Sequence, residues 1–122
     1  MNKEEEQKQE PEIIKATDLN VINDIMNSKE LNTTFFQDFT IAEAYGVRGV
    51  EDTFNRAFEE WKDNYIYLTE LTMVLNWKLW IHHEHGNMEL AKVYDRLWKK
   101  ADLYAVDNLK GKELTYFYNE TD

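Results

Sequence analysis

The chain has 122 residues with a net charge of −10, of which 14% are aromatic, with four glycines, one proline and no cysteine. This length holds one domain with a core of ordinary size. So few turn residues exclude a sandwich or barrel of short strands, and the missing thiols exclude a disulfide framework and thiolate chemistry. The opening Met1-Asn2-Lys3-Glu4-Glu5-Glu6 lacks the basic-then-apolar order of a signal peptide. The apolar stretch 65–81 is interrupted by Glu70, Asn76 and Lys78 and falls short of the roughly 20 clean residues of a span. Together these make the cytoplasm the expected location, with no membrane insertion expected.

The charge is uneven. Residues 1–17 carry −2, residues 18–70 carry −7 and residues 71–122 carry −1. An acidic half repels polyanions, so direct nucleic-acid binding is not expected and a basic partner is.

Residues 1–12 are charged and polar up to Pro11, too poor in apolar groups to offset chain entropy, and read as a disordered tail before a single helical domain, 13–122. Leu19, Ile22 and Met26 recur at helical spacing, with Ile25 beside them, and predict a short amphipathic helix. Residues 27–39 read as an irregular connector whose Phe35, Phe36 and Phe39 plug onto the core. Thr40-Ile41-Ala42-Glu43 matches a capping box and Gly46 a C-terminal stop, which predicts a short helix over 40–45.

Three main helices follow. Val50, Phe54, Phe58 and Trp61 share one face of a helix over 50–62. Asp63-Asn64 breaks the pattern and Asn64 caps a helix over 65–85 that is apolar almost all round, which puts it in the middle of a bundle. Thr69, Thr72, Asn76 and His83 form its narrow polar stripe. After Gly86, Asn87 caps a helix over 88–109 with Leu90, Tyr94, Leu97, Trp98, Ala101 and Tyr104 on one side. Gly111 punctuates, and residues 113–118 predict a last turn or two. The fold class is therefore all-α, a small helical bundle of three main helices with short flanking ones.

Few constellations carry chemistry. His82 and His85, at i and i+3, are placed to share a metal ion with a carboxylate such as Glu84 or Glu89. The spacings that mark zincins and di-iron bundles are absent, however, and histidines at a helix C-terminus also complement its dipole. No metal or other cofactor is therefore assigned. Glu70 and Asn76 interrupt an apolar helix, where a structural hydrogen bond, or for Glu70 a route to solvent, competes with an acid–base role. The tryptophans and tyrosines, including Trp61, Trp77, Trp80 and Trp98, follow helical spacing and read as core. Ser28 is the only serine and sits in no nucleophile motif.

The acids Glu51, Asp52, Glu59, Glu60 and Asp63 crowd one helix. They serve either as a solvated face or as a docking surface for a basic partner. The last three lie at the end of the helix where the dipole disfavours anions, which argues for docking.

The segments Phe39–Gly46, Ala57–Lys62, Tyr67–Leu71, Val74–Lys78 and Asn108–Leu114 together resemble a group of small all-helical proteins from phages and integrative mobile elements of Firmicutes and their relatives. That resemblance brings no catalytic residues. It implies an accessory protein that binds host machinery. The leading expectation is thus a non-enzymatic interaction protein presenting the acidic region 43–63 to a basic host protein, itself a nucleic-acid-binding one in the sharpest form of the reading. The alternatives are a helical metalloenzyme built on His82 and His85, or a structural homo-oligomer that buries Phe117 and Tyr118 between subunits.

Overall fold

The structure, a computed structural model, describes residues 30–121. The tail over 1–12 and the amphipathic segment around 19–26 lie outside these residues. Within them the chain is all helical: α1 over 30–42, a 3₁₀ turn Glu43–Tyr45, α2 Gly46–Trp61, α3 Tyr65–Glu84, α4 Met88–Asn108 and α5 Gly111–Thr121. The expected all-α bundle is the architecture observed.

The centre is α3, which packs most extensively on α4 and also meets α5 and α2. Leu68, Leu71, Val74 and Leu75 of α3 are buried against Tyr94, Leu97 and Ala101 of α4 and Phe117 of α5. Its buried threonines do not need a partner helix: Thr69 and Thr72 hydroxyls donate to the carbonyls of Tyr65 and Leu68 one turn back, at 2.7 and 2.8 Å. Asn64 caps α3 as expected, its side-chain oxygen accepting from the backbone N–H groups of Ile66 and Tyr67.

The segment read as a connector is instead a helix. Leu31, Phe35, Phe39 and Ala42 recur at i, i+4, i+8 and i+11, and the last three are buried in the core. Polar residues Asn32-Thr33-Thr34 hide that stripe in sequence, and burial of the phenylalanines overrides their low helix propensity. The capping box consequently does not form. Thr40 sits in the last turn of α1, donating to Phe36 O at 2.9 Å, and helix 40–45 gives way to the end of α1 plus the 3₁₀ turn.

Gly46 does stop this segment, with φ of 76°, a left-handed conformation that favours glycine. Helix α2 begins there, four residues before its expected start. The last predicted turn is a full helix, α5, whose Phe117 is completely buried and so belongs to the core, not to a subunit interface; Tyr118 is exposed. The tryptophans divide as well. Trp61 and Trp98 pack on the core, while Trp77 and Trp80 are exposed on α3 and are not core residues.

Two hydrogen bonds set the position of α1. Asn32 to Glu70 and Lys78 to Thr40 each span 38 residues, so α1 runs parallel to α3 in constant register. The turn then reverses the chain, and α1 and α2 form an antiparallel hairpin. Its apex is tight at Gly49: a Cβ there would stand 2.4 Å from Ala42 O and 2.7 Å from Tyr45 Cβ. Backbone cannot yield cheaply, so Gly49→Ala will lower the melting temperature by about 5 °C or more despite alanine's better helix propensity. A thermal melt of the variant checks this; an unchanged or raised midpoint would contradict the close approach.

Candidate functional site

A buried polar cluster fastens the hairpin to the core. One carboxylate oxygen, Glu43 Oε2 in the 3₁₀ turn, accepts from Tyr94 OH of α4 at 2.6 Å, from His82 Nε2 of α3 at 2.9 Å and from Lys78 Nζ of α3 at 3.1 Å. Lys78 is only 3% exposed. It also donates to Thr40 Oγ1 at 2.6 Å and lies 4.2 Å from the centroid of the Phe36 ring, so α1 supplies a hydroxyl and a π-face to the same ammonium. The Asn87 amide donates to His82 Nδ1 at 3.2 Å, leaving the ring proton on Nε2 to be given to Glu43. The imidazole stacks on Tyr94 at 5.6 Å, and Phe39 meets Tyr94 edge-on.

The electrostatics follow from this geometry. Burial alone would raise the Glu43 pKa. The hydrogen bonds from Tyr94, His82 and Lys78, with the Lys78 charge, outweigh it and hold the carboxyl below its ordinary value. Burial and the adjacent Glu43 push the Tyr94 phenol far upward, so it is a fixed donor. The polar groups of this cluster are mutually paired and tie the turn to α3 and α4 as a clasp.

Sequence reasoning passed over Glu43 and Lys78 as site residues. The signal available was Lys78 and His82, one turn apart on a helix with almost no polar face. For His82 the same contacts bear on metal binding: both ring nitrogens are engaged. His85 turns away, its Nδ1 against Ile81 O at 2.8 Å. Among the described residues, no group of three or more His, Cys, Asp or Glu side chains is placed to hold a metal ion.

The other polar pair is Glu70 with Asn32, whose amide donates to Oε1 at 2.6 Å. Glu70 is buried, not reaching for solvent. Burial raises its pKa; the Asn32 bond opposes this and the charge of Glu120 adds to it. Nearby Tyr116 is pushed up to about 12 by burial and by the charges of Glu120 and Glu70.

Outside the clasp, the hairpin encloses an open groove of about 760 Å³, running from Leu31 and Trp61 at one end to Tyr45 and Arg48 at the other. Phe35, Ala42 and Ala57 contribute apolar lining, and Ile41 and Tyr45, 65% and 76% exposed, stand on the α1 side. The predicted acids distribute unevenly around it. Asp52 and Glu60 line the groove with Arg48 and Arg56 of α2 and Asp38 of α1. Glu51 turns to α4 and pairs with Arg96. Glu59 pairs with Lys62 at 3.3 Å, and Asp63 accepts from Tyr104 OH at 3.0 Å. The structure therefore brings two of the five into one groove and leaves three on the α2–α4 side or the tip of α2. None of Asp38, Arg48, Asp52, Arg56 and Glu60 forms an ion pair among the described residues.

No family model, curated protein or solved structure matches this chain. No helix among the described residues is long and apolar enough to cross a membrane.

Two carboxylates give opposite expectations. Replacing Glu43 with Gln leaves the buried Lys78 ammonium without its counter-charge and will cost about 3 kcal/mol or more by chemical denaturation. Because the folded pKa of Glu43 is depressed, its stabilisation is full above the ordinary carboxylate range and is lost as pH falls through the folded value. The wild type's acid-side loss of stability will shrink in the variant. Glu70 has the reverse sign: its folded pKa is raised, so its contribution is greatest at acid pH and is lost as pH rises through that value. Glu70→Gln, which still accepts from Asn32, will raise the neutral-pH melting temperature; a clear fall would show that the ionised form is favoured in the fold.

Proposed function

We propose that this protein is a non-enzymatic interaction module that uses the outer side of its α1–α2 hairpin to bind a basic protein. The observation that carries the reading is a division of labour among the charges. The polar groups that hold the fold are paired and buried around Glu43 and Glu70, whereas Asp52 and Glu60 of α2 and Asp38 of α1 have no cation assigned to them by the described chain. At the C-terminal tip of α2, Glu59, Glu60 and Asp63 are all exposed where the helix dipole opposes them, and only Glu59 has a cation, Lys62, beside it.

A basic partner would relieve both costs, and the overall charge of −10 would draw it in from a distance. In this reading the protein acts in the cytoplasm as an accessory factor of a mobile element, and its target is a host protein, of which a nucleic-acid-binding protein is the most basic common class. The Glu43 cluster supports a binding role over catalysis, because its polar groups are already paired with one another.

Charge reversal at Glu59, Glu60 and Asp63 to Lys tests the reading by affinity purification from the native host and mass spectrometry. The wild type will capture a basic protein in a salt-sensitive manner, and the variant will not. The melting temperature will move by no more than about 3 °C, as expected for exposed positions. Equal capture by both proteins would remove the acidic tip from the account.

A further inference from the structure

We infer that the α1–α2 groove is an interface for a second copy of this chain, with the two α2 helices packed antiparallel about a two-fold axis. The groove wall on α2 is built of two rows at four-residue spacing, Arg48-Asp52-Arg56-Glu60 and Gly49-Thr53-Ala57-Trp61. Rows of this spacing are the ridges by which helices most often interlock. Thr53 and Ala57 keep the middle of the wall low, and the charged row stands beside it.

The charged row alternates in sign along the helix, plus, minus, plus, minus. Opposite charges four residues apart on one helix ordinarily pair with each other. Here they do not: no ion pair joins Arg48, Asp52, Arg56 and Glu60 to one another or to another described residue. The Arg56 guanidinium donates to Thr53 Oγ1 at 3.4 Å, a long contact on its own helix, and no carboxylate neutralises it.

Symmetry then identifies the occupant. When a second α2 runs antiparallel, with the axis passing beside position 54, Arg48 faces Glu60 of the second copy and Asp52 faces its Arg56. Each of these contacts occurs twice, so all eight charges of the two rows find an opposite. A parallel copy in the same register would set like on like. The row is thus self-complementary in the one orientation that a two-fold, isologous interface requires. The exposed Ile41 and Tyr45 flank the groove and would be covered as the two hairpins close into a four-helix arrangement.

A second copy would take Asp52 and Glu60 from the surface offered to the basic partner and leave that partner the tip of α2. Glu59 and Asp63 lie off the row and would remain outward on the dimer.

The test is the mass of the full chain in solution by light scattering and sedimentation equilibrium, at about 0.1 mM and under dilution. The wild type is expected at twice 14.7 kDa. Arg48→Glu and Glu60→Arg each set two like-charge contacts into the interface and should weaken association about tenfold or more. The double variant Arg48→Glu/Glu60→Arg restores every pair and should recover the dimer. So should an equimolar mixture of the two single variants, whose rows are complementary only to each other. Glu59→Lys, off the row, should leave the mass unchanged. A wild-type chain that is monomeric at 0.1 mM overturns the proposal, as does a dimer insensitive to the single reversals. Failure of both the double variant and the mixture to recover association also overturns it, and their recovery excludes misfolding as the cause of the single-variant loss. Capture repeated with Glu59→Lys/Asp63→Lys, both off the row, would leave these masses untouched, so the two readings fail separately.

Discussion

A single carboxylate oxygen organises the described fold. Glu43 lies in the three-residue turn between α1 and α2, and its Oε2 takes hydrogen bonds from two side chains of α3 and one of α4. Burying an ammonium and a carboxylate is costly unless their geometry is good and their remaining bonds are made. Here Thr40 and the Phe36 ring complete Lys78, and Asn87 completes His82. The buried stripe Phe35, Phe39 and Ala42 turns one face of α1 inward, and this set of directional bonds selects its register against α3.

That selection has consequences at the surface. With Glu43 held inward, α1 runs parallel to α3 and α2 returns antiparallel to α1, their closest approach fixed at the Gly49 backbone. The groove between them is what remains when two helices are tied at the apex and packed through their inner faces onto α3 and α4. Its charges are those the fold does not consume. The contrast between the paired Glu43 cluster and the groove charges without an ion pair is the physical basis of the proposal that the hairpin binds a partner.

Much of this architecture was legible from the residues. Helix α3 announces itself by being apolar all round, Asn64 caps it as its side-chain chemistry predicts, and Val50, Phe54 and Phe58 locate the inner face of α2. Helix α1 was not legible, because Asn32-Thr33-Thr34 weighs against a helix and only the burial of Phe35 and Phe39 decides otherwise. Trp77 and Trp80 follow helical spacing yet face out, since periodicity gives a phase but not which neighbours exist. The Glu43 cluster was the hardest to see: Lys78, His82 and Tyr94 lie far along the chain from Glu43, and Lys78 alone looks like a mere interruption. The five acids were found individually, but their division between the groove, the tip and the Arg96 pair depends on which neighbours flank α2, namely α1 on one side and α4 on the other.

The account rests on the clasp holding α1 and α2 to α3 and α4, and native-state hydrogen exchange in a Lys78→Met/Glu43→Gln double variant measures this most directly. That pair of changes removes both buried charges, so no uncompensated ion confuses the result. The predicted outcome is faster exchange confined to the amides of α1, the turn and the first half of α2, with α3 and α4 near their wild-type protection. Unchanged protection in the hairpin, or an equal loss across all the helices, would contradict the claim that this one carboxylate sets its place.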